Sequence, residues 1–409
     1  MLLSAFARRL VQSASTLTAL VTVAACSSAA PPTATSPTIS RPPAMVTPLI
    51  GSSTADPIPV PATDGKTHIV YELLLTNTLP GDVTVDSLTA LSGDRRLLTL
   101  AGANLAYWTR ALGNSGTPTN HIPSGGSAMI WLDVTLDTGM QPPAEIDHSV
   151  ALTVAKPIPG LVEGNLTQMI APVQVQARKP MSIAPPLDGP NWLDGNGCCD
   201  TTAHRMAANP INGKIYLAER FAIDYVQLTP DFRLFNGDPT KLESYPYFGA
   251  PIHAVADGKV IAVLDNLPEQ VASKTPSGLP LDQYGGNYIV QDIGDGNFAF
   301  YAHLKTASIT VKPGDGLKTG QQIATLGNTG NTDAPHLHFH LMDGPDPLAS
   351  NGLPFIINKF RLDQRVVSQS GLDTLFSGQP APLQPGFAAR DQSEVSPLVL
   401  DIMNYSVGQ

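Results

Sequence analysis

Apolar residues along this chain fall in short runs rich in β-branched and aromatic side chains, each closed by a turn. His68–Thr78 (HIVYELLLTNT), Val83–Leu91, Ala128–Leu136 (AMIWLDVTL) and Val150–Ala155 are the first such runs, punctuated by Pro80-Gly81-Asp82 and Ser124-Gly125-Gly126. Short strands separated by Gly, Pro and Asp turns predict a β-sandwich, with Thr167–Arg178 as its closing strand and Pro180–Pro190 as a boundary. A second series follows: Pro251–Val263, Asn287–Asp292, Asn297–Leu304, Gln322–Leu326 and His336–Met342. Gly285-Gly286, Gly294-Asp295-Gly296 and Gly314-Asp315-Gly316 separate these runs, so a second antiparallel β domain is expected. Ser368–Gln392 is polar and turn-rich, whereas Ser396–Tyr405 (SPLVLDIMNY) reads as one returning strand.

Composition sharpens this picture. The 409 residues include 35 Gly and 38 Pro, nearly a fifth of the chain, which argues against long helices. Charged residues are only 14 %, which excludes a highly charged disordered chain or a coiled coil. With a net charge of -10 there is no general attraction for phosphate backbones, and no nucleic-acid partner is expected. At the N-terminus, Arg8 and Arg9 precede a mainly apolar stretch, Leu10 to Ala25, and then Cys26. This order reads as an export signal over residues 1–25. Its end, Val23-Ala24-Ala25-Cys26, resembles a bacterial lipobox, which implies lipidation of Cys26 and a membrane-anchored protein of the cell envelope; the alternative is an ordinary small-residue cleavage site and a secreted protein. From Ser27 to Pro48, 18 of 22 residues are Pro, Ser, Thr or Ala, a composition that cannot build a core and suits an extended tether. The expected layout is therefore a tether over 26–60, a sandwich over 61–179, a second β domain over 191–366 and a tail over 367–409.

Cys198 and Cys199 are adjacent, so they cannot staple distant parts of the fold and lack the spacing of a zinc knuckle. His68, His121 and His148 are scattered singly and read as surface or capping residues. Six of the nine histidines lie in the second β region, three of them in His336-Leu337-His338-Phe339-His340. On a strand, period two places these three imidazoles on one face and Leu337 and Phe339 on the other. The apolar pair would enter a core while the histidines line a groove, and imidazole is the commonest neutral ligand for zinc.

Gly327–His340 (GNTGNTDAPHLHFH), Tyr301-Ala302-His303-Leu304, Gly249–Val260 (GAPIHAVADGKV) and Val311–Gly320 (VKPGDGLKTG) closely resemble successive motifs of the lysostaphin/LytM-type zinc metallopeptidases. The resemblance spans about Thr202 to Met342. It implies an antiparallel β domain with a long groove and one zinc ion; the upstream sandwich lies outside it and, from its own strand series, resembles immunoglobulin-like modules of exported proteins. Carried over by position, Asp224 in Arg220-Phe221-Ala222-Ile223-Asp224 and His338 are two metal ligands, and His303 and His336 form the catalytic pair. Three protein ligands leave zinc an open position for a water that becomes acidic enough to attack a peptide bond, and the two imidazoles can manage protons and negative charge beside it.

One position departs from the pattern. The family usually has a histidine four residues before the aspartate, and Arg220 stands there; a guanidinium cannot ligate zinc. His204, in Thr202-Ala203-His204-Arg205, is the expected third ligand, as though histidine and arginine had exchanged places, with His340 and Cys199 as weaker substitutes. Arg220 and His340 are then expected to contact substrate, with Arg220 orienting a carboxylate or acidic substrate groups, and His253 to be packing. The resemblance implies an endopeptidase of bacterial peptidoglycan peptides. The alternative is a non-catalytic relative that binds cell wall or activates another hydrolase.

Overall fold

The computed structural model describes residues 44–406; the leader, Cys26 and most of the tether lie outside the described residues. From Val46 onward the chain forms one compact unit and is mostly β. Among the described residues the α-helices are two single-turn pieces, Gly102–Tyr107 and Leu372–Phe376.

Two antiparallel sheets build the N-terminal half. The first runs in the order Leu49–Ser53, Thr67–Asn77, Ser127–Leu136, Thr109–Ala111, Asn114–Pro118, with Val60–Pro61 also on Thr67–Asn77. The second runs Asn165–Gln174, Glu145–Val154, Val83–Ser92, Arg95–Ala101, with His121–Ile122 on Val83–Ser92. Their inner faces share one core, in which Ile69, Tyr71, Leu73 and Leu75 meet Val85, Leu88, Val150 and Leu152. The first strand, Leu49–Ser53, falls in the stretch read as tether: it pairs Ser53 to Leu73 through Leu49 to Asn77, which its Pro- and Ser-rich flanks do not announce.

Thr67–Asn77 explains its own unbroken apolar run. The inward residues Ile69, Tyr71 and Leu73 belong to the sandwich core, and the outward residues His68, Val70 and Glu72 are buried too. A strand covered on both faces loses the simple alternation of a half-exposed one. Val70 packs with Cys198 and Phe221, and on the neighbouring strand Met129 and Trp131 pack with Leu217. The outer face of the sandwich is thus covered by the segment 198–221.

His148 corrects the reading of the isolated histidines as surface groups. It occupies an inward position of Glu145–Val154 with no exposure, tolerated because Tyr71 Oη meets its Nε2 at 2.9 Å and its Nδ1 donates to the Ala171 carbonyl at 2.8 Å. His68 is buried between Asp64 and Asp133, whereas His121 is exposed.

The C-terminal half is dominated by an eleven-stranded sheet among the described residues. Its central neighbours are Gly258–Leu264, Asn287–Asp292, Phe298–Leu304, Leu337–Met342, Ile223–Gln227 and Trp192–Gly195, all antiparallel. Asp401–Asn404 adds to the far side of Trp192–Gly195 and carries Phe360–Arg365 beyond it. Met181–Ile183, inside the expected boundary segment, pairs in parallel with Phe355–Ile357. Leu337, Phe339 and Leu341 point into the large core with Tyr301 and Ile223, and Phe339 stacks on Tyr301 with ring centroids 5.2 Å apart. Period two therefore turns His338 and His340 to the opposite face.

Candidate active site

Three adjacent strands set the positions of the polar groups on that face. In register, Asp224 lies opposite His338, and Ala302 lies opposite His338 on the other side. His303 follows Ala302 with φ 58°, a left-handed conformation that few side chains adopt without cost. That turn of the backbone brings its ring to the histidine face, 4.5 Å from the His336 ring and 5.9 Å from that of His338, between centroids.

His204 reaches the same point from outside the sheet. Its ring meets His338 edge to face at 4.7 Å, and one ligand atom each from His204, Asp224 and His338 lies within 4.8 Å of the others. Asp224 receives three imidazoles: His204 Nε2 at 3.3 Å, His336 Nε2 at 3.3 Å and His338 Nδ1 at 3.0 Å. Asn196 Nδ2 donates to its Oδ2 at 2.9 Å. Burial alone would raise this carboxyl, but His204 and His336 hold it well below its ordinary range. Burial depresses the His204 imidazole, and the Asp224 charge more than reverses this, to about 9. Burial, with His336 and His338 beside it, keeps His303 well below the usual histidine range and hence neutral.

The outer nitrogens are held by carbonyls, which can only accept. His204 Nδ1 donates to Ala222 at 3.1 Å, His303 Nδ1 to Thr329 at 2.7 Å and His336 Nδ1 to Ala334 at 2.8 Å. Each ring thereby turns Nε2 inward. His338 Nε2 contacts His340 Nδ1 at 3.0 Å, so His338 Nδ1 is the atom turned to Asp224. His340 is left with a buried Nε2 that has no partner. Two inward imidazole nitrogens and one carboxylate, each oriented from behind, form a donor set that fits a divalent cation of the zinc type.

These residues line one cleft of about 580 Å³, together with Glu219, Tyr284, Tyr288 and Asp333. His204, Asp224, His303, His336, His338 and His340 all line it. Arg220 does not, which corrects the expectation that it contacts substrate: it is buried, and its Nη2 pairs with Glu72 at 2.6 Å on the sandwich. Cys199 is disulfide-bonded to Cys198, so it offers no thiolate. His253 stands outside the cleft lining, 3.5 Å from Asp188. Asn196 was invisible in the sequence, where Asp194-Gly195-Asn196-Gly197 signals only a turn.

Known proteins are similar to part of this chain. Residues 244–350, about a quarter of the chain, match Peptidase family M23; the match includes His303, His336, His338 and His340 and leaves His204 and Asp224 upstream. The chain is 33 % identical over 133 residues to the peptidoglycan DD-endopeptidase ShyB of Vibrio cholerae serotype O1, covering 30 % of this chain and 27 % of that one. It is 32 % identical over 124 residues to the glycyl-glycine endopeptidase ALE-1 of Staphylococcus capitis, covering 30 % of each. The chain thus spans less than a third of the length of these relatives. The catalytic domain of the antimicrobial peptidase lysostaphin from Staphylococcus simulans overlaps 39 % of this chain and 85 % of its own at 22 % identity, with a TM-score of 0.22, too low to add to the geometry. The stretch that carries the H-x-H strand and its neighbouring His303 is a Peptidase family M23 domain.

Proposed function

We propose that this chain is a zinc-dependent endopeptidase of bacterial peptidoglycan, exported and held at a membrane by a lipid on Cys26. The observation that carries the reading is the meeting of His204, Asp224 and His338 beside His303 and His336 in one cleft. In this reading His204 Nε2, Asp224 and His338 Nδ1 hold one zinc ion, and His340 orients His338 from behind. When bound, zinc supplies Lewis acidity, polarising a peptide carbonyl and acidifying water. His303, neutral and with its Nδ1 proton held by Thr329, keeps an Nε2 lone pair free and is suited to accept a hydrogen bond from the attacking water and orient it. His336, close beside it and raised above the usual histidine range by Asp224 against the effect of burial, is suited to carry a proton and face negative charge. Substrate class comes from ShyB and ALE-1, which are named for peptidoglycan and glycyl-glycine cleavage.

The test is metal analysis of the purified full-length protein followed by digestion of cell-wall sacculi, with fragments read by mass spectrometry. One zinc per chain and new peptide ends are expected, and both should vanish in His338→Ala. A protein that holds zinc yet releases no fragments would instead be the non-catalytic wall binder. For the anchor, Cys26→Ala should move the protein out of the membrane fraction; unchanged fractionation would remove lipidation from the proposal.

A further inference from the structure

Glu72 belongs to the sandwich, yet its carboxylate lies against the segments that shape the candidate metal site. It has no exposure, and it pairs with both Arg205 and Arg220. Thr54 Oγ1 donates to its Oε2 at 2.6 Å, and Arg205 Nη2 reaches the Tyr71 and Leu132 carbonyls at 3.2 Å each. Arg205 directly follows His204. Arg220 stands two residues before Ala222, whose carbonyl accepts from His204 Nδ1. One carboxylate therefore fixes both the backbone that carries His204 and the turn that orients its ring.

We propose that Glu72 is a positioning residue for the metal site, so that the sandwich completes the ligand set by holding His204 in place. His204 needs such support because it is not on a sheet strand. Asp224 and His338 are locked opposite one another by the strand ladder, whereas the segment 196–206 contains turns closed by Thr202 Oγ1 donating to the Asn196 carbonyl and accepting from Arg205 N. A ligand on a loop holds its geometry only as well as the groups behind it do. Arg220 stands where the resembling family has its histidine. Its pairing with Glu72 turns it away from the cleft and ties that position to the sandwich. Two buried guanidiniums sharing one buried carboxylate also leave no neutral substitute for it, since without Glu72 both charges lose their counter-ion.

This inference rests on the reading of His204, Asp224 and His338 as a metal site, and the experiment separates the two. Zinc affinity of the full-length metal-free protein is measured by competition with a chromophoric chelator, beside its thermal melt. Wild type that takes up no zinc defeats the metal-site reading itself. Given wild-type binding, Glu72→Gln should weaken zinc affinity roughly 10- to 100-fold. Arg390→Ala, which removes a hydrogen bond to the Thr63 carbonyl elsewhere between the same two halves, should leave affinity unchanged. If Glu72→Gln does not fold, Glu72→Asp takes its place, keeping the charge and shortening the reach. A folded Glu72 variant with wild-type zinc affinity overturns the proposal, as does an equal loss in Arg390→Ala.

Discussion

Asp224 and His338 face each other across an antiparallel strand pair, with His338 Nδ1 3.0 Å from Asp224 Oδ1. The ladder itself thus delivers two of the three grouped ligand atoms at a fixed separation. His204 and His336 add their Nε2 atoms to the same carboxylate, so cation binding would exchange a cluster of imidazoles around one charge for coordination by part of that cluster.

The groups should separate by role. His338→Ala and His204→Ala should lose zinc and cleavage together. His303→Ala and His336→Ala should retain most zinc and lose about 10²- to 10⁴-fold in cleavage rate, the usual contribution of a proton-transfer group. Zinc stoichiometry and initial rates measured on the same preparations check this.

Stripping the metal should lower stability as well as activity. A ligand present at a hundredfold over its Kd stabilises the folded state by about 2.7 kcal/mol. A chelator should therefore lower the melting temperature by several degrees, and zinc should restore it in wild type but not in His338→Ala.

A pH-dependent contribution is expected away from the cleft. Burial would depress His68, but Asp133 and Asp64 raise it to about 9. A pKa raised above its unfolded value of 6.5 gives stability that is fully present below that value and is lost as pH rises through about 9. Denaturant titrations should show His68→Gln less stable than wild type near pH 6 by on the order of 2 kcal/mol, with the gap closing above pH 9. A constant gap would refute the linkage.

The two faces of the H-x-H strand should respond differently. Phe339 is fully buried against Tyr301 and Phe355, so Phe339→Ala should cost about 3–5 kcal/mol. Phe339→Leu should cost less and leave zinc stoichiometry unchanged, as equilibrium unfolding and metal analysis would show.

The H-x-H strand was legible because period two is a local property: it places His338 and His340 on one face, while His336 stands one residue before the strand Leu337–Met342 and reaches the same cleft from its approach. Its partner Asp224 was legible only through family likeness, since a lone aspartate in a short β run carries no signal of its own. His204 followed from the gap left by Arg220. The destination of Arg220 was hidden, because its partner Glu72 lies 148 residues away on a strand of the sandwich, and charge pairing over such separations leaves no periodicity to read. His148 was misread for a related reason: whether an isolated histidine is buried depends on a tyrosine and a carbonyl that only the tertiary fold supplies.

The left-handed backbone at His303 sets turnover against durability. An imidazole-bearing residue at φ 58° costs on the order of 1 kcal/mol relative to one that accepts this conformation, and the ring also sits buried and uncharged among other imidazoles. Asparagine, whose short polar side chain can hydrogen-bond locally, adopts this backbone more readily. His303→Asn should accordingly melt higher than wild type while cleaving about 10²- to 10⁴-fold more slowly, and selection for thermal endurance alone would tend to erase the group proposed to serve hydrolysis.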